Sequence, residues 1–275
     1  MEEKNLDSWD KFKIVVDEIR ENYGYHELSK DKEHTLKRKN VVLFRGQPNL
    51  PVKTTLERKT TEEFTLGRYL LFTSQIIDEI ETLTGLKWNV PDSEVSEINK
   101  NQSHRRVYLP QNWYAYLVYL RHHGYPSPLL DWTTSPYIAA YFALCESPLQ
   151  KDVAIYAYIE YVNPIKAIEN PLITVMGPYV STHKRHFAQK AWYTMASKWS
   201  DEFSTHTFCS HHEIFDKSRK NYETPQDLLI KITIPASERG KALKELDNDY
   251  NINHFTLFQT EDSLIKALGI RDFET

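Results

Sequence analysis

Two short segments constrain this chain more than any other feature of its sequence. Residues 41–47 (VVLFRGQ) form a β-branched and aromatic run that predicts a buried strand, and Arg45 and Gly46 stand near its end. Residues 122–136 (HHGYPSPLLDWTTSP) are dense in side chains that titrate, donate or stack, and an apolar run over 137–144 predicts a helix directly after them. A planar guanidinium offers paired donors, and glycine lets backbone approach a ligand closely. Together, the two segments predict an anion site where a strand ends and a helix begins.

The length and charge of the chain limit its organisation and its partners. With 275 residues, 40% of them hydrophobic, the chain can bury a substantial core. We expect one compact unit, in which residues 1–40 supply a packing helix and a loop and residues 41–275 form the main domain. The formal net charge of -4, from 34 basic and 38 acidic side chains, argues against a general electrostatic attraction to nucleic acid or to an anionic membrane. A local basic groove is compatible with this balance.

Several protein classes are disfavoured by what the sequence contains. No apolar run approaches the roughly 20 residues that a membrane-spanning helix needs, and the acidic start (MEEKN) is unlike a secretion signal. We therefore expect a cytoplasmic protein without a membrane partner. Two cysteines, Cys145 and Cys209, fit reduced thiols better than a disulfide framework, and no ligand spacing indicates a metal site.

Periodicity, capping residues and turn residues predict the other elements of an α+β fold. The predicted helices cover residues 9–19, 61–85, 111–121, 236–246 and 259–268. The predicted strands cover residues 153–159, 228–235 and 255–258, and residues 26–40 and 90–106 are predicted to be loops.

Four blocks of the sequence resemble the FRG domain family. Residues 44–46 are the Phe-Arg-Gly tripeptide for which the family is named, and residues 123–143 match its His-Gly-x-Pro block with the Leu-Leu-Asp-Trp-Thr run and the following helix. Two fainter blocks of the family are also matched here. Arg185 and Gln189 ahead of an aromatic turn match one of them, and the predicted closing strand and helix over residues 255–268 match the other. The chain departs from the family at residues 258–262, where FQTED replaces the usual Phe-Pro-Asp.

The order of the blocks resembles ADP-ribosyltransferases of the R-S-E type, which place an arginine, a hydroxyl and a glutamate on three successive strands. The resemblance implies a single domain with a split or curved mixed β-sheet decorated by helices, and NAD as the co-substrate. Arg45 would anchor the pyrophosphate or the ribose. Glu261 would stabilise the oxocarbenium-like ribose and orient or deprotonate the acceptor. Thr133, within the hydroxyl segment that ends at Ser135, would hold the carboxylate and the ribose in register.

Other residues complete the site that the resemblance implies. His123 and Asp131 are further catalytic candidates, while Arg185 and Gln189 would contact the substrate. The cofactor-binding set is completed by Gly46, Gln47, Ser135 and an aromatic ring on nicotinamide, either Trp132 or Tyr141. We expect Arg45, His123, Asp131 and Thr133 to converge on one cleft.

Structural roles compete with several of these assignments. Arg45 could pair with Asp131 to tie two strands together, His123 could cap its helix, and Glu261 could belong with Asp262 or Ser263 to the cap of the last helix. Residues 183–186 could be a solvated basic face.

The resemblance implies a NAD-dependent mono-ADP-ribosyltransferase that acts on a protein or nucleic-acid acceptor. It also suggests a biological role, either as a toxin with a neutralising partner protein or as a phage-defence effector. Two alternatives stay open. One is a nuclease or hydrolase that uses His123 and Asp131 as an acid and base pair. The other is a non-enzymatic module that binds a nucleotide or a partner through the same pocket.

Overall fold

The computed structural model describes most of the chain. Residues 1, 31–34, 48–51, 105, 147–150, 161–170, 179, 181–183 and 216–226 lie outside the described part.

The fold is built on a mixed eight-stranded sheet with helices around it. The sheet order is β1-β10-β6-β4-β5-β8-β7, with β9 paired to β8, and β2 and β3 form a separate hairpin. The strands are β1 (Glu2–Asn5), β2 (Tyr25–Lys30), β3 (Thr35–Lys39), β4 (Val42–Gln47), β5 (Leu129–Thr133), β6 (Val153–Glu160), β7 (Leu172–Met176), β8 (Ala191–Ser200), β9 (Thr205–Phe208) and β10 (Asp227–Ile234). In the sheet β1 runs parallel to β10, whereas the other neighbours are antiparallel. The predicted α+β class and mixed sheet are confirmed.

The sheet is split between β4 and β5. All six residues of β4 pair with β6, and all five residues of β5 pair with β8. Between β4 and β5 only Phe44 and Thr133 pair. Beyond this pair the two strands diverge, so groups at the end of β4 face groups of β5 across a gap.

The helices cover both halves of this split sheet. They are α1 (Asp10–Tyr23), α2 (Thr55–Lys59), α3 (Leu66–Ser74), α4 (Ile77–Thr84), α5 (Ser93–Lys100), α6 (Gln111–His122), α7 (Pro136–Glu146), α8 (Lys184–Ala188), α9 (residues 211–215), α10 (Arg239–Asn248), α11 (His254–Phe258) and α12 (Glu261–Phe273). Alternate residues of β6 enter two different core clusters, which explains its continuous apolar run and confirms that it is a central strand. The faces of α1 and α7 pack into the same cluster as Phe44.

The helix predicted over residues 61–85 is wrong in its start and its continuity. Phe64 accepts a backbone hydrogen bond from Phe208 (2.9 Å), and Thr65 bridges to Thr207, so this stretch runs beside β9. The Thr65 side chain then caps α3 by accepting from the backbone N–H of Arg68 (3.1 Å). The helical pattern is also interrupted between α3 and α4, because α3 ends at Ser74 and α4 begins at Ile77.

Two predicted loops contain regular structure. Strands β2 and β3 pair with each other within residues 26–40, outside the main sheet. Helix α5 occupies part of residues 90–106 and buries Val95 and Ile98. These apolar residues are spaced i, i+3 on one short helix, which is too little periodicity to stand out in a polar sequence.

The strand predicted over residues 255–258 is a helix instead. Asn253 caps α11 by accepting from the backbone N–H of Thr256 (2.9 Å), and Gln259 ends it with a left-handed φ of 54°. Thr260 then caps α12, with Ser263 completing a reciprocal capping box. The chain thus turns twice through helix caps, which the apolar run FTLF does not disclose.

Candidate functional site

A cavity of about 580 Å³ opens at the split between β4 and β5. Its walls come from the ends of both strands, from the C-terminal turn of α6, and from α7, α8 and α11. Strands β4 and β5 each keep a full partner strand on their other edge. Where β4 and β5 diverge, the backbone polar groups on their facing edges must be paired by side chains.

Arg45 bridges this gap with its side chain. It donates from Nη1 to the backbone oxygen of Asp131 (2.7 Å) and from Nε to Oε1 of Gln47 (3.0 Å). The first bond stabilises a carbonyl on the edge of β5 that β4 does not pair. Gln47 lies two residues further on the same face of β4 and holds the guanidinium in place. The arginine is therefore fixed before any ligand arrives.

Asp131 is held by two arginines. Its Oδ2 contacts Nη2 of Arg121 in a short ion pair and lies 3.9 Å from Nη1 of Arg45. Burial alone would raise the pKa of the Asp131 carboxyl, but Arg121, Arg45 and His122 hold it below its ordinary value. The expected ion pair between Arg45 and Asp131 is present, yet the closer partner is Arg121. Sequence reasoning missed Arg121, although an arginine in the last turn of α6 directly before the His-His pair was a usable signal.

The lining carries more positive than negative groups. Among the described residues that line the cavity, four arginines face one carboxylate. The arginines are Arg45, Arg58, Arg121 and Arg185, and the carboxylate is Asp131. Such an excess in a partly enclosed space favours an anionic ligand, and guanidinium groups suit phosphate oxygens in particular.

Aromatic rings form the other wall. Phe142 and Phe258 line the cavity and pack edge to face with centroids 6.0 Å apart. The Arg185 guanidinium lies 5.4 Å from the centre of the Phe258 ring, and His254 stacks on the same ring at 4.4 Å. A flat ring of a ligand can therefore meet an apolar surface next to the arginines.

Gly46 is required for packing between α7 and β4. A Cβ at this position would lie 1.8 Å from the backbone oxygen of Ala139 and 2.6 Å from the backbone nitrogen of Ala143. Helix α7 thus rests directly on the strand. Gly46 also lines the cavity, and close approach of a ligand to its backbone stays a prediction.

Residues 40–152 match the family model of the FRG domain. Over these residues the chain is similar to FRG domains. The match spans β4 to α7 and so includes Arg45, Arg58, Arg121 and Asp131, while Arg185 lies outside it. A search of curated proteins and a search of solved structures each find no match to this chain.

The histidine that lines the cavity, among the described residues, is His122. Its Nε2 lies 2.7 Å from the Tyr193 hydroxyl. His123 is exposed, stacks on Tyr119 at 4.4 Å and is not part of the lining, so the expected convergence of four residues holds for Arg45, Asp131 and Thr133 only. Helix α6 ends at His122, and His123 follows it as the C-cap residue, so the two histidines do not continue the same helical face.

The hydroxyl segment divides between the cavity and the helix. Thr133 lines the cavity, and its Oγ1 accepts from the backbone N–H of Ser135 (3.0 Å). Ser135 is outside the lining, and its own Oγ accepts from the N–H of Ile138 (3.4 Å) at the start of α7. Thr133 is thus the hydroxyl that a ligand can reach, and Ser135 serves as a helix cap.

Neither aromatic ring that the sequence suggested for nicotinamide is available for stacking. The Trp132 indole donates to Oγ1 of Thr194 (2.7 Å) and packs against Tyr158, so this ring belongs to the core although the residue touches the cavity. Tyr141 is buried in the core behind Phe142. Phe142 and Phe258 are the rings at the surface of the cavity.

The C-terminal residues divide in the same way. Arg185 and Gln189 line the cavity, and Gln189 donates to the backbone oxygen of Leu257 (3.3 Å). His183 lies outside the described residues. Glu261 is exposed at the first position of α12 and is not part of the lining. The strand expected to carry this glutamate is helix α11, so the structure does not bring Glu261 to Arg45 and Thr133.

Two other features concern the described part of the chain. Cys145 and Cys209 are not joined in a disulfide. Within that part, no helix has the length and apolar character to cross a membrane, and no group of three or more His, Cys, Asp or Glu side chains is arranged to hold a metal ion.

Proposed function

We propose that the cavity binds NAD and that the protein is a NAD-dependent mono-ADP-ribosyltransferase. The observation that carries this proposal is that four arginines and an aromatic wall line the same cavity, where the sheet is split between β4 and β5. NAD has an anionic pyrophosphate with a flat ring at each end, so it offers both complements. The resemblance to R-S-E transferases agrees with the position of Arg45 and Thr133.

Residues at the cavity would divide the work by chemistry. Arg45, already fixed by Gln47, would hold the pyrophosphate with parallel donors. Thr133 would donate its hydroxyl proton to a ribose oxygen, because its oxygen already accepts from Ser135. Asp131, kept ionised by its arginines, would stabilise positive charge that develops on the ribose when the glycosidic bond breaks. We assign to Asp131 the role that the sequence suggested for Glu261.

The acceptor remains a protein or a nucleic acid in this proposal. The resemblance suggests that the protein acts in the cytosol as a toxin or a phage-defence effector, with a neutralising partner. The hydrolase alternative would have to use His122 in place of His123, because His123 is not part of the cavity lining. The binding-module alternative uses the same arginines. Only an assay for transfer of ADP-ribose distinguishes it from the transferase.

The test is incubation of the protein with NAD labelled in its adenylate half, followed by calorimetric titration with NAD. A matched control is Arg271→Gln, since Arg271 is exposed on α12 and pairs with Asp272. We expect label transfer to macromolecules of a cell lysate, and NAD binding that Arg45→Lys weakens and Arg271→Gln leaves unchanged. Binding without transfer would replace the transferase with a binding module. A folded protein that does not bind NAD would refute the proposal, and degradation of nucleic acid without NAD would favour the hydrolase.

A further inference from the structure

Two of the four arginines that line the cavity are held inside it by a carboxylate. Arg45 and Arg121 form the ion pairs of Asp131, and each of the two arginine side chains is 14% exposed. Asp131 is the one acidic residue in the described lining, so its charge balances part of theirs. This inner pair suits a compact anion that enters the cavity, such as the pyrophosphate of the proposed co-substrate.

The other two arginines come from two short helices, α2 and α8. Arg58 is exposed in the last turn of α2, and its Nη1 donates to the backbone oxygen of Lys53 (3.1 Å). Arg185 is half-buried on α8, and its guanidinium lies 5.4 Å from the centre of the Phe258 ring. Both line the cavity, so a ligand that extends out of it meets α2 and α8.

The segments that carry this outer pair are basic. We call residues 53–59 and 185–190 the mouth segments. Their one carboxylate is Glu57, which accepts from the backbone N–H of Thr54 (2.7 Å) in the cap of α2. Against it stand five lysines and arginines, and the three lysines are exposed: Lys53, Arg58, Lys59, Arg185 and Lys190. A chain with a formal net charge of -4 thus carries a local basic surface beside its cavity.

Exposed aromatic rings accompany these charges. Phe187 is 61% exposed on α8, between the cavity-lining residues Arg185 and Gln189. Phe255 is 41% exposed on α11. Gln189 donates to the backbone oxygen of Leu257 (3.3 Å), so α8 and α11 are in contact. Exposed rings beside cations offer stacking surfaces for bases whose phosphates bind to the cations.

We propose that the mouth segments bind single-stranded nucleic acid, and that this nucleic acid is the acceptor of ADP-ribose. The acceptor role rests on the proposed function, whereas the binding of the strand does not. Cations combined with exposed rings favour nucleic acid over protein, because phosphates and bases alternate along one nucleic-acid chain. A single strand fits better than a duplex, because its bases can stack on side chains and enter a cavity.

The transfer step joins this acceptor to the ribose. The bond between ribose C1′ and the nicotinamide nitrogen breaks, and its electron pair leaves with nicotinamide. An N–H or O–H group of the nucleic acid forms the new bond to C1′ and releases its proton to the solvent.

Binding is tested without NAD, by fluorescence anisotropy with a labelled RNA or DNA strand of mixed sequence and about 16 nucleotides. Arg58→Gln and Arg185→Gln should each weaken binding by about threefold or more at low salt, and each should reduce the slope of log K against log salt by about 1. The matched control is Arg271→Gln, since Arg271 is exposed on α12, and it should change neither quantity.

The contribution of the rings has its own control. Phe187→Ala should weaken binding by about threefold or more and leave the salt slope unchanged, because stacking releases no counterions. Phe273→Ala removes a ring that is 90% exposed at the end of α12, and it should have no effect. A folded wild-type protein that does not bind the strand would overturn the proposal. Equal affinity in the wild type, Arg58→Gln and Arg185→Gln would also overturn it.

The acceptor is identified by digesting the labelled product. After incubation with a cell lysate and NAD labelled in its adenylate half, nuclease should convert the labelled material to small fragments, and protease should not. The purified strand should also accept label, and Arg58→Gln should raise the KM for the strand by about threefold or more.

The two proposals can fail separately. Label that protease digests and nuclease does not would support the transferase and refute the nucleic-acid acceptor in favour of a protein. A protein that binds the strand through Arg58 and Arg185 but does not bind NAD would refute the transferase, and the acceptor role with it.

Discussion

Replacing Gly46 by alanine is expected to destabilise the whole fold, although the change adds one methyl group at the mouth of the cavity. The new Cβ would lie 1.8 Å from the backbone oxygen of Ala139, whereas ordinary van der Waals contact begins at 3.4 Å. Ala143 meets the same methyl with its backbone nitrogen at 2.6 Å. Backbone atoms cannot rotate away as a side-chain tip can, so α7 must shift as a unit against β4.

The size of the effect follows from that displacement. Adding a methylene to a well-packed core costs about 1–3 kcal/mol, and a clash with backbone should place Gly46→Ala at or above about 3 kcal/mol. With a urea m-value of about 1–3 kcal/mol per molar for a small protein, the midpoint of unfolding should fall by about 1 M or more. The assay is urea unfolding followed by circular dichroism at neutral pH.

Gly269 provides the matched control. It lies inside α12, and a Cβ there meets nothing within 4 Å. Gly269→Ala should raise the stability by about 0.5–1 kcal/mol, because alanine is the better helix former. An unfolding midpoint of Gly46→Ala equal to that of the wild type would refute the packing argument. If that stable variant had also lost NAD binding, the glycine would serve the ligand instead.

Three further substitutions test the site. Arg45→Lys keeps the charge but loses the planar fork that reaches Asp131 and Gln47. The free energy of NAD binding measured by calorimetry should therefore become less favourable by about 1–3 kcal/mol. Full retention of NAD binding would indicate a purely structural arginine. Asp131→Asn should weaken the acid sensitivity of folding. The folded-state pKa of Asp131 lies below the ordinary 3.8, so its stabilisation is present above that value and is lost as pH falls through the folded value. Wild-type stability should therefore fall more steeply below about pH 3.8 than that of the variant in urea unfolding, and parallel curves would contradict the pairing. Glu261→Gln should leave kcat for transfer within about twofold, because the carboxylate is exposed on α12 and outside the cavity; a hundredfold loss, on the order of 3 kcal/mol, would restore it as the catalytic acid.

The sequence by itself determined the elements that have strong local signals. The apolar run of residues 41–44 predicted β4, the continuous run of residues 153–159 predicted a central strand, and the aromatic and alanine-rich segments predicted α6 and α7. The Phe-Arg-Gly tripeptide and the Leu-Leu-Asp-Trp-Thr run also placed Arg45, Asp131 and Thr133 in one cleft. Local preference and short motifs suffice for these features because each is written in consecutive residues.

Only the tertiary structure decided which neighbouring side chain reaches the cavity. The docking of α6 turns Arg121 and His122 inward and leaves His123, the C-cap residue, exposed, which composition does not reveal. Helix α11 replaced the expected strand because Asn253 caps it, and Glu261 was thereby left at the surface. For α6 the reason is that facing the site depends on packing against partners far away in the chain, whereas α11 begins at a local cap that the apolar run FTLF does not indicate.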